Sequence, residues 1–197
     1  MSESKYQTVP LPDGEVQLGL FPTIEWYQAF TKYGQFRGSR VLDLGCCQFS
    51  YGIQALRDGA EHVVGIDHDE IRVRQSHENV KRWGFEQRVT IRNQDAVDYI
   101  ECLYSSFDVV IVGMLLHWLP EDRARILLRA SWRNTSRGLF IVYRLPTLDG
   151  TGFCPTPKDL DRILETKARG HEILMDTETQ RIGLAMYDRP ATFQSYE

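Results

Sequence analysis

The sequence is short of several things. It has four cysteines in 197 residues, and none forms a Cys-x-x-Cys pair. Cys46 and Cys47 adjoin each other, while Cys102 and Cys154 stand alone, so a zinc ribbon or finger is excluded and small buried thiols are expected. Long apolar runs are missing. The longest, Val109 to Leu116, is eight residues, far below the ~20 needed to cross a bilayer. The first ten residues are polar and lack the apolar core of a secretion signal, which sets the expectation of a cytoplasmic protein. Positive charge is not in excess either. The net charge of -4 argues against a chain that grips nucleic acid over its whole surface, and leaves room for a local basic patch.

What is present is a soluble composition, 42% hydrophobic and 25% charged, in a chain long enough for one domain with a full core. Residues 1 to 38 read as an irregular arm followed by a helix over Pro22 to Phe36, with Ile24, Tyr27, Phe30 and Tyr33 at helical spacing. From there strand and helix alternate. "RVLDL", "HVVGID", "VTIRN", "FDVVIVG" and "GLFIVYR" are strands, separated by helices beginning near Ser50, Asp69, Ala96 and Pro120. Strands that read as unbroken apolar runs are buried on both faces, which means a parallel sheet. Strict alternation means a doubly wound α/β fold. A proline-opened helix over "PTPKDLDRILETKARG" and a hairpin of "EILMD" with "RIGLAMYD" complete a single domain, with its core over 39–190.

In such a sheet a ligand lies past the carboxyl ends of the strands, at the switch point. The residues there are Asp43 and Gly45, then Asp67 with His68, then Asp95 with Ala96, then Gly113 and Met114. Gly45 allows a tight turn and close approach of a ligand. Asp67 follows Gly45 by 22 residues, the distance expected of a carboxylate that takes both hydroxyls of a ribose. Asp95 can accept from an exocyclic amine such as adenine N6, and Ile66 and Ala96 offer apolar surface for a base. Asp69 is expected to cap the following helix.

Four segments, "VLDLGCCQFSYGIQAL", "HVVGIDHD", "VTIRNQDAVDY" and "FDVVIVGMLLHWLP", resemble the successive motifs of class I S-adenosylmethionine-dependent methyltransferases. The resemblance covers about Arg40 to Arg144. It implies a Rossmann-like seven-stranded sheet of order 3-2-1-4-5-7-6 with strand 7 antiparallel. It also implies S-adenosylmethionine as cofactor. Asp43, Gly45, Cys46, Cys47 and Phe49 would surround its methionine part, Asp67 and His68 its ribose and adenine edge, Asp95 and Ala96 its adenine, and Gly113 and Met114 its sulfonium.

The family pattern is Asp-x-Gly-x-Gly-x-Gly, and here Cys47 and Phe49 replace the second and third glycines. A phenyl ring at the third place must point away, fill the pocket, or stack near the sulfonium. His117, after the fourth strand, is the candidate base, with packing beside Trp118 as its structural alternative. Trp26, Tyr27 and Tyr33 are candidates for a lid, Arg144 for an anionic substrate, and the loop of Gly150 and Gly152 for movement on binding. The resulting expectation is methyl transfer to oxygen of a small molecule or saccharide, by a chain that can form homo- or hetero-oligomers. The alternatives are a silent member that binds a partner, with Phe49 filling the cofactor's place, and an RNA-modifying enzyme. An oxidoreductase is disfavoured because the first turn lacks Gly-x-Gly-x-x-Gly.

Overall fold

A computed structural model describes residues 5–34, 36–146, 152–177 and 180–189. Gly150 and part of the turn of the final hairpin lie outside the described residues.

Seven strands form one sheet: β3 (Arg40–Leu44), β4 (His62–Asp67), β5 (Val89–Asn93), β6 (Phe107–Gly113), β7 (Thr135–Arg144), β8 (Gly170–Asp176) and β9 (Arg181–Asp188). Their spatial order is β5-β4-β3-β6-β7-β9-β8. Counted from β3 this is 3-2-1-4-5-7-6, as expected. β4, β3, β6 and β7 pair in parallel, and β9 runs antiparallel to both β7 and β8. The chain reverses direction across the sheet between β3 and β6, which opens the switch-point crevice beyond Leu44 and Gly113.

The pleat of β3 divides the core. Val41 packs with α1 (Thr23–Thr31) and α2 (Ser50–Arg57) on one face, while Leu42 and Leu44 pack with α4 (Ala96–Glu101), α5 (Glu121–Arg133) and α6 (Pro157–Leu164) on the other. α3 (Glu70–Trp83) starts at Asp69, whose side chain accepts from the Ile71 and Arg72 N–H groups, the cap the sequence predicts.

Three elements differ from the sequence reading. The first helix stops at Thr31, short of Phe36. α6 stops at Leu164, because Glu165 turns left-handed (φ 54°) and Gly170 already begins β8. The amino-terminal arm, from residue 5 on, is not irregular throughout. It forms a two-stranded hairpin of β1 (Val9–Pro10) and β2 (Val16–Gln17), which the Trp83 indole anchors by donating to the Pro10 carbonyl at 2.9 Å.

Candidate active site

The turn from β3 into α2 has the backbone that a triple-glycine loop would have. Gly45, Cys47 and Phe49 all carry positive φ, at 74°, 50° and 67°. Only glycine adopts such angles freely. A side chain there adds about 1–2 kcal/mol of strain. The loop thus holds that shape with two larger residues in it. The Gly45 and Cys46 N–H groups both donate to the Ile66 carbonyl, which locks the turn onto the end of β4.

The Phe49 ring is fully buried. It lies in a slot left by two other glycines, Gly52 of α2 and Gly65 of β4. A Cβ on Gly65 would fall 2.6 Å from the ring, and one on Gly52 nearer still. The ring thus fills the space between helix and sheet. The replaced glycine is compensated by small residues at its contacts, and the ring does not enter the cavity beyond the strand ends.

That cavity has a volume of about 440 Å³. Its wall includes Gly45, Cys47, Asp67, His68, Asp95, Ala96, Gly113 and Met114, so eight of the predicted positions meet around one space. Asp43, Cys46 and Phe49 stand behind the wall, and His117 lies outside the lining. Asp67 is almost wholly buried, and its two oxygens accept from the Cys47 N–H (2.8 Å) and the Asp69 N–H (3.0 Å). Each carboxylate oxygen has two lone pairs, so acceptor capacity remains on the cavity side. Asp95 caps α4. Its Oδ1 takes the Val97 and Asp98 N–H groups at 2.8 and 3.0 Å and the Arg123 guanidinium at 2.7 Å. None of these bonds uses Oδ2.

Asp43 is a buried carboxyl whose oxygens find no hydrogen-bond partner among the described residues. Burial first, and the nearby Asp67 charge second, push it up to about 8. The buried Tyr51 hydroxyl, from the same neighbourhood, is also without a partner among the described residues. Burial likewise pushes the Cys47 thiol up to about 12. His117 sits in a short 3-10 turn against Trp118, ring centres 5.0 Å apart, with Nδ1 buried and unbonded among the described residues. Burial and then the Arg144 charge push it down to about 4, so its ring is neutral at physiological pH.

Sequence reasoning missed most of the roof. Tyr6, Gln7, Phe21 and Thr23 line the cavity together with Trp26. The Gln48 side chain holds the first two there, accepting from the Tyr6 N–H at 3.1 Å and the Gln7 N–H at 2.7 Å. In return the Gln7 side chain accepts from the Ser50 N–H, and the Ser50 and Thr23 hydroxyls donate to the Thr8 carbonyl. The Tyr6 hydroxyl reaches the side chain of Trp118 at the opposite rim. Gln48 and Ser50 lie about 40 residues from the arm they hold, so no local pattern announces the contact. Of the expected lid residues, Trp26 reaches the cavity. Tyr27 donates instead to Asp58 (2.9 Å), and Tyr33 to Glu172 (2.6 Å). Arg72, Tyr51 and Leu119 were also not foreseen as lining. The described residues contain no cluster of metal-ligating side chains, and no helix among them is long and apolar enough to cross a membrane.

The fold and this strand-end cavity define a methyltransferase-type Rossmann-like domain. Residues 41–138 match the model of the methyltransferase domain family. The chain belongs to the class I S-adenosylmethionine-dependent methyltransferases. A ribosomal protein L11 methyltransferase from Thermotoga neapolitana is 33% identical over 111 residues, covering 55% of this chain and 40% of that protein. The chain thus spans about two fifths of the length of the curated relatives it matches first. Among solved structures, magnesium protoporphyrin IX methyltransferase from Synechocystis with bound S-adenosylhomocysteine superposes with a TM-score of 0.70 at 20% identity, covering 90% of each chain. The N-methyltransferase NodS from Bradyrhizobium japonicum superposes with a TM-score of 0.70 at 13% identity, covering 85% of this chain and 96% of that one.

Proposed function

We propose that the domain binds S-adenosylmethionine in the strand-end cavity and transfers its methyl group to an oxygen of a small molecule or saccharide. One observation carries the reading. Asp67, Asp95, Gly45 and Gly113, from four separate strand ends, line the same cavity. The residues present fit the cofactor. Asp67 offers acceptors to a ribose diol, Asp95 Oδ2 to an exocyclic amine, and Ile66, Ala96 and Val97 an apolar surface to a base. The orphaned acceptors of Asp43 and Tyr51 fit an ammonium group. S-adenosylmethionine supplies a methyl group on a sulfonium, which is already a good leaving group.

The chain's own part is therefore to align the acceptor and keep water out. Tyr6, Phe21, Trp26 and Trp118 form an aromatic roof suited to that exclusion, with Trp118 remaining 71% exposed at the rim, where an acceptor would arrive. His117 is assigned the acceptor's proton. It lies outside the lining but beside Trp118 at the rim, ring centres 5.0 Å apart, and its ring is neutral at physiological pH. The position of Phe49 removes the reason for a silent reading in which its ring fills the cofactor's place. Titration calorimetry with S-adenosylmethionine and S-adenosylhomocysteine tests the proposal, with Asp67→Ala as control. Micromolar binding by the wild type, lost in the variant, supports it. A wild type that binds neither ligand overturns it.

A further inference from the structure

We infer that Arg72 recognises the carboxylate of the cofactor's amino-acid arm, with Tyr6 closing over the pair, and so makes this site selective for ligands that carry the arm. The inference rests on the cofactor reading above and adds a residue to it.

Among the described residues that line the cavity, Arg72 is the sole arginine or lysine. Its sign needs explaining. The proposed ligand carries a sulfonium and an ammonium, and a guanidinium facing either would repel it. The only anionic part of that ligand is its carboxylate. The placement agrees. Arg72 stands on the first turns of α3 with Nε held by Asp69 Oδ2 at 3.2 Å, which orients the fork. Its Nη1 points at the Sγ of Cys47, 2.7 Å away, on the very loop that the methionine part should meet. The Cys47 thiol is neutral at physiological pH and a weak acceptor, so a carboxylate arriving there gives the guanidinium a far better partner. The Tyr6 ring covers the guanidinium at 4.8 Å, and the Gln48 side chain pins the Tyr6 backbone. Behind the same loop, the unpartnered oxygens of Asp43 and the Tyr51 hydroxyl are acceptors of the kind an ammonium wants. Of these groups Tyr51, like Arg72, is on the lining itself, with Asp43 behind it.

Two ligands separate this from a structural role. S-adenosylhomocysteine carries the arm, and 5′-methylthioadenosine has the same nucleoside without it. Calorimetry is run with both on the wild type, Arg72→Met and Arg72→Lys. The expected result is that Arg72→Met weakens S-adenosylhomocysteine by about tenfold or more and leaves 5′-methylthioadenosine unchanged, as for loss of one charge-assisted contact, with Arg72→Lys in between. Equal losses for both ligands, or no loss for either, overturn the inference and leave the cofactor reading standing. A wild type that binds neither ligand overturns both. Retained 5′-methylthioadenosine binding also shows that the variant is folded.

Discussion

Asp43 gives the sharpest test of the site's electrostatics. In the unfolded chain its carboxyl ionises near 3.8, and in the folded, unliganded protein near 8. A group whose folded pKa is raised keeps its proton in the native state while the unfolded state loses it. Native stability therefore falls as pH rises from about 4 to about 8. The full shift corresponds to ~6 kcal/mol by linkage. Local relaxation and water entry lower this, and ~2–3 kcal/mol is the expected change. Asp43→Asn removes the titration and keeps the shape. The amide leaves buried donors without partners, a loss of ~1–3 kcal/mol that does not depend on pH. The readout is therefore the pH dependence of the difference between the two proteins. Urea denaturation at pH 5 and pH 8 should show the variant gaining ~2–3 kcal/mol on the wild type, or roughly 5–10 °C in Tm. His117 acts in the opposite sense between 6.5 and about 4, and it is common to both proteins, so it cancels. A difference between variant and wild type that is the same at both pH values refutes the reasoning.

Phe49→Gly should lose the packing of a buried phenyl ring, ~3–5 kcal/mol, and recover ~1 kcal/mol of left-handed strain, for a net loss of ~2–4 kcal/mol in denaturant titration. S-adenosylhomocysteine affinity should change by less than about threefold, since the ring faces Gly52 and Gly65, and a large gain in affinity would place it in the cavity after all. Gln48→Ala should free the Tyr6 and Gln7 N–H groups, seen as faster hydrogen exchange there with β3 and β4 unchanged, and unaltered exchange would mean the arm is held by other contacts. His117→Gln should lower kcat by about 10²-fold once an acceptor is in hand. The wild-type kcat/KM should show no inflection near 6.5, because this ring titrates near 4, and an inflection there that the variant abolishes would contradict its burial.

The alternation of strand and helix was legible because the central parallel strands are buried on both faces and read as nearly continuous apolar runs, as "RVLDL" and "FDVVIVG" do, whereas the edge strand "VTIRN" is only partly covered. Asp67, Asp95 and Gly113 were legible for a related reason. The cavity sits directly past the strand ends, so position along the chain gives position in space. The helix over 155–170 was overread because only the left-handed turn at Glu165 shows where it stops.

The sequence by itself thus determined the alternating strands and helices and the row of acids at the strand ends, properties of residues close together in the chain, while the order of the sheet followed from the family resemblance. The tertiary structure alone decided which way Phe49 turns, because that depends on Gly65 on the neighbouring strand leaving room for a ring. It alone decided the roof, built by Tyr6 and Gln7 on a glutamine about 40 residues away. The proton on Asp43 and the place of Arg72 on the wall belong with these. Desolvation and charge act through space, and only the folded chain brings Asp67, Cys47 and Tyr6 near enough for them to act.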